Sequence, residues 1–321
     1  MPKTIIILGP TGAGKTAVSM LLARHLDTEI ISSDSMQIYK RMDIGTAKPS
    51  IQERRIIRHH MIDIVEPWET YSTGEYIRAV QPIIENLYKQ NKTPIIVGGT
   101  GLYIKAMTRG IFSGPSANWD LRDELLEKER SSPGYLYEYL KSLDPTAAAK
   151  IMPADTRRIV RALEVCLKSD KAISEIHKTL TKPLPYEFIK IGITRDRKEL
   201  YAMIEQRVDK MIKDGLVEEA TEVLKLIGAE ARKRGSVKAR IQHSGLSSMQ
   251  AIGYKELAMH LNGELSLEEA IALVKKRSRN YAKRQFTWFK KEEGIHWIDI
   301  TGIHDAEKIF QEALKVLKPA L

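Results

Sequence analysis

Gly9, Pro10, Thr11, Gly12, Ala13, Gly14, Lys15 and Thr16 fill the pattern G-x-x-x-x-G-K-[ST] at every fixed position. Residues of these types at this spacing bind phosphate. The glycines let the backbone curl until its N–H groups converge on phosphate oxygens, Lys15 reaches the outer phosphate, and the Thr16 hydroxyl is a ligand for Mg²⁺. The pattern is specific for a di- or triphosphate but not for ATP, and two features speak against an ordinary ATPase. "PIIVGGTG" ends in glycine where a Walker-B strand ends in aspartate, and the strand that does end in an acid, "EIISSD", comes very early in the chain.

That acid is Asp34. It sits at a strand end beside the phosphate loop, where three roles are open to it: a general base, a helix N-cap, or an indirect Mg²⁺ ligand. Thr100, in "GGTGLY", either shares a substrate proton or phosphate oxygen or is a turn threonine. Arg207, in "IEQRVDKMIKDGLVEE", reads from pattern alone as a surface arginine on an amphipathic helix. "DIGTAKP" is a further glycine-bearing loop with a lysine. His59-His60 resembles a metal pair only superficially, because adjacent residues do not face one site, and a structural role is expected.

A phosphate loop needs a strand before it and a helix after it. "TIIILG" is a continuous β-branched run and reads as a buried parallel strand. A helix follows from Lys15 to about His25. "TEIISSD" and "TPIIVGGTG" are further strands, and "LYIKAM" begins another helix. Strands alternating with helices imply an α/β sheet with crossover connections, and ligands then sit at the carboxyl ends of the strands. Three loops point at one crevice: Gly9–Thr16, Ser33–Gln37 and Gly98–Gly101. After Gly110 the pattern turns helical, so residues 113–187 are expected to form an all-helical insert within an α/β core of residues 1–112 and 188–321. "EFIKIGITRD" and "GIHWIDI" return to strand. "GAEARKRGSVKARIQHSGL" is polar and glycine-punctuated and reads as a mobile connection.

The 321 residues are 43% hydrophobic, enough for a substantial core, and carry a net charge of +10, which suits a polyanionic partner. One cysteine, Cys166, excludes an intrachain disulfide and a cysteine-based zinc site, and fits a reducing compartment. No run is long enough to cross a bilayer, and a cytoplasmic protein that does not engage the membrane is expected. Residues 275–291, "KKRSRNYAKRQFTWFKK", include eight basic residues, no acid and four aromatics. On a helix Arg277, Tyr281, Arg284 and Trp288 share one face, and Ala282, Phe286 and Phe289 another. The absence of any acid favours polyanion binding over a merely solvated face. In "DTRRIVRALEV", Arg157 and Arg161 lie one turn apart, and Arg122 begins the first helix of the insert.

"GPTGAGKT", "SSDSMQIY", "DIGTAKP", "GGTGLY", "RRIVRALEV", "QRVDKMIKDGLVEE", "QAIGYKEL" and "YAKRQFTWFK" occur in this order. Together they resemble the bacterial tRNA dimethylallyltransferases, also called tRNA isopentenyltransferases, from about residue 4 to residue 298. The resemblance implies a P-loop kinase-like parallel sheet flanked by helices, with a helical insertion domain. It also implies transfer of a dimethylallyl group from dimethylallyl diphosphate to the exocyclic amine of the adenine beside the tRNA anticodon. In that reading residues 9–16 hold the diphosphate, with Mg²⁺ on Thr16. Asp34 is the base, Thr100 orients the acceptor, and Arg207 clamps the leaving group. The tRNA anticodon stem-loop is expected to meet Asp34, Ser35, Met36, Gln37, Thr100, Arg122, Arg157, Arg158, Arg161, Gln250, Gly253, Tyr254, Lys255, Lys283, Arg284, Gln285, Trp288 and Lys290, on a monomer. Two departures stand out: the segment 228–245 is longer and more basic than the family pattern, and Lys290 stands where arginine is expected. The rival readings are a P-loop kinase of a nucleoside or small metabolite, a free-nucleotide isopentenyltransferase, and a non-catalytic RNA-binding protein.

Overall fold

A computed structural model describes residues 1–112, 114–169, 171–179, 181–233 and 246–318. The chain divides into two compact units, Met1–Lys105 with Pro185–Leu321, and Ala106–Leu184. The second unit begins and ends a few residues before the expected 113–187. The reason is local: a helix runs from Gly101 to Arg109, so nothing in the composition marks the division.

The first unit opens with β1 (Lys3–Leu8), α1 (Lys15–His25), β2 (Ile30–Ser33), α2 (Ile51–Ile56), β3 (His59–His60), α3 (Thr73–Lys89), β4 (Ile95–Gly98) and the start of α4 (Gly101–Arg109). The second unit holds β5 (Ile111–Phe112), α5 (Trp119–Ser131), α6 (Tyr135–Leu143), α7 (Pro145–Ala148), α8 (Thr156–Ser169), α9 (Ile173–Thr179) and β6 (Thr181–Lys182). The first unit resumes with β7 (Glu187–Thr194), α10 (Arg197–Lys213), α11 (Leu216–Lys233), α12 (Tyr254–Leu261), α13 (Leu267–Phe289), β8 (Ile295–Asp299) and α14 (Ala306–Leu317). Helix α11 claims Gly228–Lys233, the beginning of the segment read as a mobile connection, because Ala, Glu, Arg and Lys all favour helix. The rest of that segment, 234–245, lies outside the described residues.

The sheet has six strands in the order β3-β2-β4-β1-β7-β8, and every pairing is parallel. Its centre is β1, whose Ile5, Ile6, Ile7 and Leu8 have no exposed surface. Such a strand is apolar on both faces because helices cover both. Ile5 and Ile7 belong to the cluster formed by Val18 and Leu22 of α1 with Phe310, Ala313 and Leu317 of α14. Helix α3 turns Tyr76, Val80, Ile84 and Leu87 inward at helical spacing. The register is what matters for the site. Leu8 pairs with Gly98, and Gly98 with Ser33, so β1, β2 and β4 end abreast. The three loops that follow therefore open on one edge of the sheet, the edge where α/β sheets bind ligands.

His59 and His60 form β3 against Ile30 and Ile31, and the His60 ring bonds Glu29 at 2.5 Å. A second core joins Ile38, Tyr39 and Met42 to Leu216, Ala220 and Val223 of α11 and to Tyr254 and Leu257 of α12. It fixes the "DIGTAKP" loop. The Glu219 carboxylate accepts from the N–H groups of Asp43 (2.8 Å), Ile44 (2.9 Å) and Gly45 (3.0 Å) and from the Tyr254 hydroxyl (2.5 Å). Lys48, with a side chain 1% exposed, bonds Asp43 and Asp63. The lysine of that loop is thus a structural post. The second unit is helical around Leu125, Leu136, Leu140, Ile159 and Leu163, apart from the antiparallel β5–β6 ladder.

Candidate active site

The phosphate loop is shaped by close approach. A Cβ on Gly9 would lie 2.3 Å from the Ile193 carbonyl oxygen, so only glycine leaves β1 here. Gly14 caps α1 with φ +85°, a conformation that L side chains rarely adopt. The first N–H groups of α1 are thereby aimed into the loop.

Two cations face it. The Lys15 ammonium donates to the carbonyls of Gly9 (3.0 Å) and Pro10 (2.8 Å). Burial, reinforced by the positive charge of Arg207 and opposed by Asp34, lowers its pKa to about 8. Arg207, from α10, donates through Nη2 to the Thr11 hydroxyl at 2.6 Å, while its Nε is buried with no partner among the described residues. Burial lowers its pKa as well, and Asp34 works the other way. Two cations thus flank the loop, a charge arrangement complementary to an anion. On sequence pattern Arg207 was a surface residue. The fold brings it to the loop.

Asp34 follows β2. Its Oδ1 accepts from the N–H of Met36 (2.8 Å) and more weakly from that of Gln37 (3.4 Å). Its Oδ2 takes no hydrogen bond from the described residues, which leaves one oxygen to accept a proton. A turn cap and a base are compatible here, because the two tasks use different oxygens. Thr100 holds the same loop: its N–H donates to the Ser33 carbonyl (3.2 Å), and its hydroxyl accepts from Ser35 N–H (3.0 Å) and meets Ser35 Oγ at 3.3 Å. Tyr281 hydrogen-bonds Thr100 and Gln285, and burial followed by the Asp34 charge raises its pKa.

Several of the expected RNA contacts are committed elsewhere. Tyr254 is fully buried and spends its hydroxyl on Glu219, and the buried Gly253 donates its N–H to Glu256. The Gln37 amide bonds Ser32 and the carbonyls of Thr46 and Ala47. Gln285 is 5% exposed and bonds two loops. Ser35 and Met36 are half-buried in the Asp34 turn. In the second unit Arg122 makes two hydrogen bonds to Glu164, at 2.9 and 2.8 Å, and Arg161 makes another. Glu164 has no exposed surface and also accepts from Asn118 N–H. Burial works to raise its pKa, but these donors outweigh burial and hold it low. Glu164→Ala is expected to destabilise this unit by about 3–5 kcal/mol, the usual cost of stranding a buried partner. Urea unfolding read through Trp119, which stacks on Arg122 at 4.9 Å, measures it.

Arg157, Arg158, Gln250, Lys283, Arg284, Trp288 and Lys290 are exposed, Arg158 beside Asp155 at 3.3 Å, and Lys255 is half-buried. Arg284 lies over the Tyr281 ring at 5.6 Å. The beginning of the basic helix is neutralised instead, by Lys275–Asp209, Arg277–Glu256 and Arg279–Glu205 pairs. The signal for Gln285 was present in the sequence. It lies on the stripe Ala270, Val274, Ser278, Ala282, Gln285, Phe289, the one amide on a face of small and apolar residues.

Fold and site together define an α/β protein of P-loop type, with Lys15 and Arg207 on the loop and the Asp34 carboxylate at the neighbouring strand end. A family model described as "IPP transferase" matches residues 37–292. The tRNA dimethylallyltransferase of Thermodesulfovibrio yellowstonii is 56% identical over 319 residues, 99% of this chain and 98% of its own. That of Pelotomaculum thermopropionicum is 42% identical over 318 residues, 99% of this chain and 97% of its own. Among solved structures, the full-length tRNA isopentenylpyrophosphate transferase of Bacillus halodurans aligns with TM-score 0.68 and 37% identity over 99% of this chain and 98% of that one. A eukaryotic dimethylallyltransferase captured acting on tRNA aligns with TM-score 0.83 and 30% identity over 98% of this chain and 78% of that one. This chain belongs to the tRNA dimethylallyltransferase family.

Proposed function

We propose that the protein transfers the dimethylallyl group of dimethylallyl diphosphate to the exocyclic amine of the adenine adjacent to the tRNA anticodon and releases diphosphate. The observation that carries this reading is the pairing of Lys15 and Arg207 on the phosphate loop with the open Oδ2 of Asp34 at the neighbouring strand end. The adenine amine attacks the allylic carbon, the carbon–oxygen bond to diphosphate breaks, and the amine proton passes to Asp34. Negative charge grows on the departing diphosphate, where Lys15, Arg207 and the loop N–H groups receive it. Preorganised donors of this kind are usually the largest catalytic contribution. The target base is inaccessible while stacked, so it must be turned out of the anticodon loop. Thr100 holds the Asp34 turn in place for it.

Among the described residues no group of three or more His, Cys, Asp or Glu could hold a metal. Mg²⁺ binds proteins through one or two ligands and substrate phosphates, so the exposed Thr16 hydroxyl at the start of α1 fits that mode. Bound there, the ion would neutralise diphosphate charge. No described helix is long and apolar enough to cross a membrane. A reaction on tRNA belongs in the cytoplasm, and the groups proposed for it lie within a single protomer. The exposed Lys283, Arg284, Trp288 and Lys290, with Gln250, Lys255, Arg157 and Arg158, are the candidate contacts to the stem-loop.

ATP-dependent phosphorylation is not favoured: the relatives are prenyltransferases, and β4 ends at Gly98. Labelled dimethylallyl diphosphate and unmodified tRNA, with ATP as competitor, decide the matter. Label on the tRNA is expected. ATP hydrolysis without label transfer would overturn the reading.

Lys15 adds a pH signature. An anion selects the ammonium form, so with a pKa of about 8 in the free protein, donor binding takes up a proton above that pH. The Kd for dimethylallyl diphosphate is expected to stay level below pH 8 and rise about tenfold per pH unit above it. Lys15→Arg stays charged throughout and should flatten the profile, whatever its absolute level. Calorimetric titration across that range checks it.

A further inference from the structure

Gln285 crosses between the two loops that matter most. Its Oε1 accepts from the Thr11 N–H at 2.8 Å, and its Nε2 donates to the Gly99 carbonyl at 2.9 Å. The Thr11 N–H can only donate and the Gly99 carbonyl can only accept, so the orientation of the amide is fixed by its partners. Thr11 is held from both ends, its N–H by α13 and its hydroxyl by Arg207 of α10. Gly99 immediately precedes Thr100. A Cβ on Gly99 would come within 2.2 Å of the Gln285 Nε2, so the loop is built to let this side chain in. The next turn repeats the device: a Cβ on Gly101 would lie 2.3 Å from the Trp288 indole. Lys283, Arg284 and Lys290 stand exposed on the same stretch of helix.

We infer that Gln285 is a positioning residue that locks the diphosphate loop to the acceptor loop, setting the distance between the leaving group and the Asp34 base. The inference rests on the prenyl-transfer reading above. A terminal amide suits the task because it is a donor and an acceptor at once. A carboxylate would accept from Thr11 but repel the Gly99 oxygen, and an asparagine is one methylene too short to span the gap. Being buried, the amide has no water to replace either bond. The residue touches no reacting atom. Its effect is on where Lys15, Arg207 and Asp34 sit relative to each other, and small misplacements of that kind cost about 10²-fold in rate.

The test compares wild type with Gln285→Ala, Gln285→Glu and Gln285→Asn. Gln285→Ala is expected to lower kcat by about ten- to a hundredfold, with the Kd for an anticodon stem-loop within about twofold of wild type and Tm nearly unchanged. Gln285→Glu should raise the KM for dimethylallyl diphosphate more than Gln285→Ala does, because it sets a negative charge behind the loop. If Gln285→Ala does not fold, the Glu and Asn variants carry the same comparison. A variant with wild-type kcat and donor KM, or one whose only change is weaker RNA binding, overturns the inference. Affinity for inorganic diphosphate without RNA reads the loop directly and should weaken in Gln285→Glu. Failure of the wild-type protein to modify tRNA would sink the transfer reading, whereas unchanged diphosphate affinity and kcat in the variants would sink the brace alone.

Discussion

Asp34→Asn is expected to lower kcat for prenyl transfer by about 10²- to 10⁴-fold, the range for loss of a positioned general base, while tRNA affinity stays within about twofold. The asparagine keeps a side-chain oxygen where Oδ1 now accepts from Met36 N–H, so the turn that carries Ser35, Met36 and Gln37 is preserved. What it cannot do is accept a proton from the adenine amine. Asp34→Ala would remove the turn cap as well and confuse the two effects. Single-turnover transfer at saturating tRNA, alongside a fluorescence titration of the anticodon stem-loop, separates chemistry from binding. Near-wild-type transfer in Asp34→Asn would end the assignment of this residue as the base.

Arg207→Ala is the second large effect. The guanidinium bonds Thr11 through one nitrogen and keeps a buried Nε in reserve. If bound diphosphate meets this guanidinium, the interaction strengthens as the carbon–oxygen bond breaks and charge grows on the leaving group. Loss of one such donor typically costs about 10²- to 10³-fold in kcat. Lysine at this position restores charge but not the fork of donors, so Arg207→Lys is expected to recover only part of the loss. Kinetics with saturating donor distinguish this role from simple binding: the fall should be in kcat, not in KM alone. A variant that raises KM and spares kcat would make Arg207 a ground-state clamp.

The phosphate loop and the three strand ends were legible in the sequence because local geometry dictates them. A β-branched run, a glycine turn and a lysine at a fixed offset leave the backbone few alternatives, and parallel pairing then sets the ends abreast. The roles of Gln285 and Glu219 were not legible. Their partners lie far away along the chain, 274 residues for Gln285 and Thr11 and 176 for Glu219 and Asp43. No local pattern records such a meeting, and only the odd amide on the buried stripe of α13 hinted at it. The pairing of Arg122 and Arg161 with Glu164 was not legible either, because Glu164 sits on an apparently ordinary amphipathic helix. Nor does the local pattern around Tyr254 show that its ring is wholly enclosed.

The insert's own stem bears on how the protein is made. Leu184 N–H bonds the Met107 carbonyl at 2.9 Å, beside the β5–β6 ladder. The central strand, meanwhile, must find a neighbour emerging much later from the ribosome, since Lys3 pairs with Glu187. Closing a long loop carries an entropic cost that grows with its length. Once the intervening helices have condensed and their two ends are tied, the nascent chain has only a few residues left to cross before β7 can dock. Until then β1 presents an unpaired edge, so early formation of that small module shortens the interval in which the growing sheet can pair with the wrong partner.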